Sequence, residues 1–242
     1  MAWDLLDTHA SEHGMLELYT QGMKEFMIRF DGIELMNSML HTSEDVLGEL
    51  AVAFCNDSDD EILIGGLGLG FTLAAAIKAG AQRPQAPRVT VAELVPTIIA
   101  WYQHYFCTGL QLAPDCARLI AGDAYQIIAD SAQWQVICLD IDNGPSYLST
   151  SSNQKMYAPA GLQHIAAHLA PTGACLVWSA NEEADMVTQA SNAGFYVYLR
   201  YVHSQLAARV FEQYIYVLSP QVLDAEFAQQ QQLHFLAKPV TL

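Results

Sequence analysis

Glu61-Ile-Leu-Ile-Gly-Gly-Leu-Gly-Leu-Gly-Phe-Thr-Leu73 sets the architecture of this chain. A short apolar run enters a cluster of glycines and leaves it as a helix-forming segment, Phe71 to Ala79. The same rhythm recurs on the C-terminal side. Strands are predicted at Arg88 to Leu94, Ala117 to Asp123, Val136 to Asp142 and Ala174 to Ser179. Helices are predicted at Thr97 to Phe106, Ala124 to Asp130, Leu162 to Leu169 and Asp185 to Ala193. Near-continuous apolar strands alternating with helices predict a parallel sheet covered on both faces. Phe195 to His203 and Gln213 to Leu218 follow with no helix between them, which suits an antiparallel hairpin at one edge. The sum is an α/β fold with a mostly parallel, seven-stranded sheet.

On the N-terminal side, Leu16, Leu18, Phe26, Ile28 and Phe30 alternate at period two, and Asp31-Gly32 is a hairpin signal. A small β element is expected there, then a helix opened by Thr42 or Ser43 as cap, with Val46, Leu47, Leu50 and Phe54 on its apolar face. The chain divides into residues 1–55 (hairpin and helix), 56–220 (the α/β domain) and a polar tail, 221–242, with a surface helix.

The 242 residues carry 10 Lys plus Arg against 26 Asp plus Glu, a net charge of −16. That balance repels nucleic-acid backbones and anionic membrane surfaces. The N-terminus lacks a basic segment before an apolar core, so a cytosolic protein is expected. Five scattered cysteines without a CxxC pair predict reduced, buried thiols and no metal site.

In an open α/β sheet, ligands bind beyond the carboxyl ends of the strands. The first four strands deliver there Gly66, Gly68 and Gly70, then Glu93, then Gly122-Asp123, then Asp140, Asp142 and Asn143. Glycines let the backbone approach a ligand, and an acid after the second strand is placed to accept from ribose hydroxyls. No Lys-Ser or Lys-Thr follows the glycines, so a phosphate-cradling loop is absent. A nucleoside without phosphates fits these residues. An NAD-dependent oxidoreductase shares the glycines and Glu93 but gives Asp123 and Asp140 no part in holding a pyrophosphate.

Together, Gly66-x-Gly68-x-Gly70, Glu93, Gly122-Asp123 and Asp140 resemble the successive motifs of class I S-adenosylmethionine-dependent transferases, which have the Rossmann-like class I methyltransferase fold. Within them the chain is most similar to the spermidine synthase-like group, over about residues 15–220. Phe30-Asp-Gly-Ile-Glu-Leu, His41 to Leu50, Val91-Ala-Glu-Leu-Val-Pro and Ile120-Ala-Gly-Asp-Ala carry the likeness. The resemblance implies that Gly66, Gly68 and Gly70 line the methionine side of S-adenosylmethionine, with Glu93 on the ribose. It implies Asp123 and Ala124 at the adenine and Asp140 beside the sulfonium.

Two departures bear on the reaction. Spermidine synthases place an aspartate in the glycine loop for the amine of decarboxylated S-adenosylmethionine, whereas Gly65 to Thr72 contain no acid. They also carry Asp-x-x-Asp after strand four, whereas this chain has Asn143 at the second position; an amide is no base. Methyl transfer to a small-molecule amine or hydroxyl is therefore the expectation, with Asp140, Asp142 and Tyr147 as catalytic candidates. Asn143, Tyr157 and Trp178 are expected around the acceptor. The alternatives are aminopropyl transfer to a polyamine, which the acidic balance favours, and a non-catalytic binder of adenosyl ligands. The HxxxH pairs His9/His13 and His164/His168 lack a third ligand and are read as solvated helix faces. The N-terminal hairpin and the Tyr-rich last strands suit a homodimer.

Overall fold

The computed structural model describes residues 2–11, 14–130, 133–141, 144–145 and 154–240. Asp142, Asn143 and Tyr147 lie outside them. The chain opens with a four-stranded antiparallel sheet of β1 (Asp4–Ser11), β2 (Gly14–Gln21), β3 (Glu25–Phe30) and β4 (Ile33–Asn37). Helix α1 (Thr42–Ala53) follows. The main sheet is then built from β5 (Glu61–Gly65), β6 (Arg88–Glu93), β7 (Arg118–Ala121), β8 (Trp134–Leu139), β9 (Leu169–Ser179), β10 (Tyr196–Leu206), β11 (Arg209–Ser219) and β12 (His234–Ala237). Its order is β7-β6-β5-β8-β9-β11-β10-β12. The pairings from β7 to β9 are parallel, and β11 against β9, β10 against β11 and β12 against β10 are antiparallel.

Every residue of β8, Trp-Gln-Val-Ile-Cys-Leu, is buried, as a central parallel strand covered on both faces requires. One face carries α1, α2 (Phe71–Gly80) and α3 (Pro96–Trp101), with the N-terminal sheet adding Leu16, Leu18 and Ile28 to that core. The other face carries α4 (Ala124–Ile127), α5 (Gln154–Tyr157), α6 (Pro159–His168) and α7 (Ala184–Asn192), around Leu162, Ile165, Met186 and Ala190. Gly48 brings α1 against α2: a Cβ there would run into the Thr72 carbonyl and the Ala75 side chain.

Several details depart from the sequence reading. The sheet has eight strands, because the tail forms α8 (Ala225–Gln230) and then β12, which pairs with β10 through Tyr198–Phe235 and Leu199–His234. The N-terminal element has four strands because β1, which is mostly exposed, pairs with β2. The helix predicted at 97–106 is α3 followed by a π-helical turn, Tyr102–Phe106. Neither Thr42 nor Ser43 caps α1; His41 holds the cap position without a capping bond, and its ring pairs with Asp45 at 2.8 Å and stacks on Phe71 at 4.1 Å. His9 lies in β1. His164, on α6, stacks on Tyr125 instead of facing solvent. Four of the five cysteines are buried, Cys116 only partly, and all are free. Among the described residues no helix is long and apolar enough to cross a membrane.

Candidate functional site

The sheet order places the strand-order reversal between β5 and β8, where β6 and β7 lie to one side and β9 to the other. The glycine loop leaves β5 at this crevice. Gly66, Gly68 and Gly70 have φ of +92°, +52° and +88°, a region that side chains avoid. Each also faces a near neighbour. A Cβ on Gly66 would meet the Asp140 carbonyl, one on Gly68 would come 2.6 Å from Met36 Sδ, and one on Gly70 would come 2.5 Å from the Tyr102 ring. Gly70 caps α2 in the left-handed conformation.

Glu93 ends β6, is only 6 % exposed and grips the loop from below. Its Oε2 accepts from Leu67 N and its Oε1 from Val95 N, both at 2.9 Å. Burial raises its pKa, and the backbone amides oppose that rise. The backbone amides of Gly68 and Leu94 also act on this carboxylate. Ala124 is buried with its Cβ under Gly65. Asp123 caps α4 through Oδ1, which accepts from Tyr125 N at 2.9 Å; its Oδ2 accepts from Lys155 Nζ at 2.6 Å.

At the end of β8, Asp140 accepts from Thr72 Oγ1 at 2.6 Å. Burial raises its pKa, against the pull of that hydroxyl. Across from it stands Glu44, from the first turn of α1. Burial, and then the nearby Asp140 charge, push its pKa up as well. The two acids line one cleft of about 90 Å³ with Leu35, Met36, the loop from Leu67 to Phe71 and Trp178. That volume lies below the usual ligand-pocket range of about 300–1,000 Å³, and the end of the Met36 side chain occupies the space over Gly68. The Trp178 indole N–H is buried without a hydrogen-bond partner among the described residues.

Gly68, Gly70, Asp140 and Trp178 thus meet at one cleft, with Gly66 against the Asp140 carbonyl, Glu93 beneath the loop and Asp123 beyond the end of β7. Tyr157 does not line it; it is 5 % exposed and packs in the core beneath α6. Glu44 and Met36 were not singled out from the sequence. Glu44 sits in a helix first turn, where acids are common for the helix dipole alone, so its type and position gave no distinguishing signal. Lys155 was missed because it follows a segment with no regular pattern. Among the described residues no group of three or more ligating side chains could hold a metal ion.

No protein-family model matches the sequence, and no curated protein does. Solved structures do match. A spermidine synthase in complex with the transition-state analogue AdoDATO superposes with a TM-score of 0.68 at 12 % identity, covering 97 % of this chain and 82 % of that one. Spermidine synthase from Thermotoga maritima gives a TM-score of 0.61 at 11 % identity, covering 97 % and 80 %. A match over nearly the whole chain at such low identity is one of architecture: the protein has the fold of the spermidine synthases.

Proposed function

We propose that the protein is a transferase that takes an alkyl group from an adenosyl-sulfonium donor and passes it to an amine. The observation that carries this is the pairing of Glu44 with Asp140 across a cleft floored by the glycine loop. A bound donor supplies a carbon already activated by the sulfonium, so positioning provides most of the rate. Glu93 accepts from the ribose hydroxyls, and the left-handed glycines let the backbone lie against the donor once the Met36 end moves aside. Asp140, held by Thr72, accepts the proton that the amine loses as its lone pair forms the new bond to carbon and the carbon–sulfur bond breaks. The raised pKa of Asp140 suits it to that task.

The two acids also bear on which group moves. A cleft with two carboxylates attracts an ammonium and repels a carboxylate. Glu44 thereby supplies, from α1, the acid that Gly65 to Thr72 lack, and this favours decarboxylated S-adenosylmethionine and aminopropyl transfer. Methyl transfer from intact S-adenosylmethionine is the second reading, favoured by the acid-free loop itself.

Calorimetry with the two donors separates them. The decarboxylated form is expected to bind at least tenfold more tightly, and Glu44→Gln to erase that preference. Tighter binding of intact S-adenosylmethionine replaces aminopropyl with methyl transfer. Failure to bind either donor refutes the proposal.

A further inference from the structure

Lys155 occupies an unusual place for a cation in a protein with so few of them. Its Nζ lies 2.6 Å from Asp123 Oδ2 and 4.9 Å from the centre of the Tyr125 ring. That ring is itself fixed. It stacks on His164 with centroids 4.5 Å apart and planes 23° apart, and His164 Nε2 lies 3.0 Å from the Tyr125 carbonyl oxygen. The Asp123 carboxylate is fixed too, because Oδ1 is committed to the Tyr125 amide as the cap of α4. The ammonium is therefore held between a carboxylate and an aromatic face. It carries three N–H donors, and among the described residues Asp123 is its one hydrogen-bond partner. Lys155 and Asp123 retain 43 % and 25 % side-chain exposure, so a ligand can reach both.

Asp123 and Lys155 thus form an acceptor beside a donor, two residues beyond the carboxyl end of β7. Adenine presents the complement. Its exocyclic N6 amine donates, and the ring nitrogen on either side of it, N1 or N7, accepts. A purine with oxygen at position 6 would set that oxygen against the Asp123 carboxylate instead.

We propose that Lys155 is a specificity residue for the nucleobase, donating to an adenine ring nitrogen while Asp123 accepts from the 6-amino group. This rests on the adenosyl-donor reading above, and it adds a side-chain cation to the recognition of the base. The ion pair of the free protein sets both groups in place. Neither has to give up the other, since Oδ2 has a second lone pair and Nζ two further hydrogens.

The probes are 5′-methylthioadenosine and its 1-deaza and 7-deaza counterparts, in which one ring nitrogen is replaced by CH. All lack the donor's tail, so Glu44 and Asp140 do not enter the result. Binding is measured by calorimetry to wild type and to Lys155→Met, whose folding is verified by thermal melting. Wild type is expected to bind one deaza compound about tenfold more weakly than the parent, about 1.4 kcal/mol. Lys155→Met is expected to bind the parent about tenfold more weakly and to bind that deaza compound equally well. The proposal is overturned if Lys155→Met binds 5′-methylthioadenosine as tightly as wild type or more tightly. It is overturned equally if the deaza penalty persists in the variant, or if wild type shows none. If wild type does not bind 5′-methylthioadenosine at all, the donor reading fails and this inference falls with it.

Discussion

Replacing Glu44 with glutamine should make the protein more stable and less able to bind its ligand. Among the described residues Glu44 has no cation in an ion pair: His41, at the same helix end, pairs with Asp45 at 2.8 Å and is the smallest of the influences on Glu44, while Asp140 acts on it with a charge of the same sign. Burial and that neighbour raise its folded pKa above the 4.5 of an ordinary glutamate. The folded chain then holds a proton that the unfolded chain has released. Stability from this source is fully present below pH 4.5 and is lost as the pH climbs through the raised folded pKa. Glutamine mimics the protonated form, keeps an acceptor for Ser43 Oγ and has no such loss. Each unit of displacement is worth about 1.4 kcal/mol. For a partly buried pair that relaxes on ionising, about 2 kcal/mol is a reasonable gain at pH 8, about 4–8 °C in a chain of this size. The gain should shrink towards zero as the pH falls to 4.5. Thermal melts of both proteins from pH 4.5 to 8 measure it, and calorimetry with a cationic donor should show weakened binding in the variant. An unchanged or lower melting temperature at pH 8, or a gain equal at both ends of the range, would refute the like-charge account of the cleft.

Gly70→Ala combines a left-handed backbone at φ +88° with a Cβ 2.5 Å from the Tyr102 ring; a loss of about 2–3 kcal/mol in urea unfolding is expected. Glu93→Ala leaves the buried amide of Leu67 and the part-buried amide of Val95 without their acceptor, at about 1–3 kcal/mol for the first, and adenosyl-ligand affinity should fall at least a hundredfold by calorimetry. Trp101→Phe removes the indole N–H bond to Asp7 Oδ2 at 2.8 Å. It should cost about 1 kcal/mol and speed proteolytic cleavage within β1 while leaving ligand binding unchanged.

The glycine-loop end of the candidate site was legible because its residues sit at strand ends. The alternation of buried runs such as Ile62-Leu-Ile and Val136-Ile-Cys-Leu with helices locates those ends, and the glycines, Glu93, Asp123 and Asp140 follow from them. β1 was not legible. Its side chains are largely exposed, so no alternating burial marks it, and it exists because β2 offers an open edge. β12 likewise depends on β10 as a template, and its four residues, His-Phe-Leu-Ala, are too short to show a period. Glu44 and Lys155 reach the site through packing between elements far apart in sequence. Local spacing carries no trace of that, so the acid that faces the acid-free glycine loop from another helix was not visible to it.

Gly48 holds more than a helix crossing. Because α1 touches the Thr72 carbonyl there, the missing methyl sets how far Glu44 stands from the Asp140 that Thr72 supports. A graded series at this position, Gly to Ala to Ser, would wedge the helices apart by fractions of an ångström. Neither carboxylate would be altered. Residue 48 is therefore a spacer through which the mutual repulsion of Glu44, a turn away, and Asp140 can be adjusted at a distance.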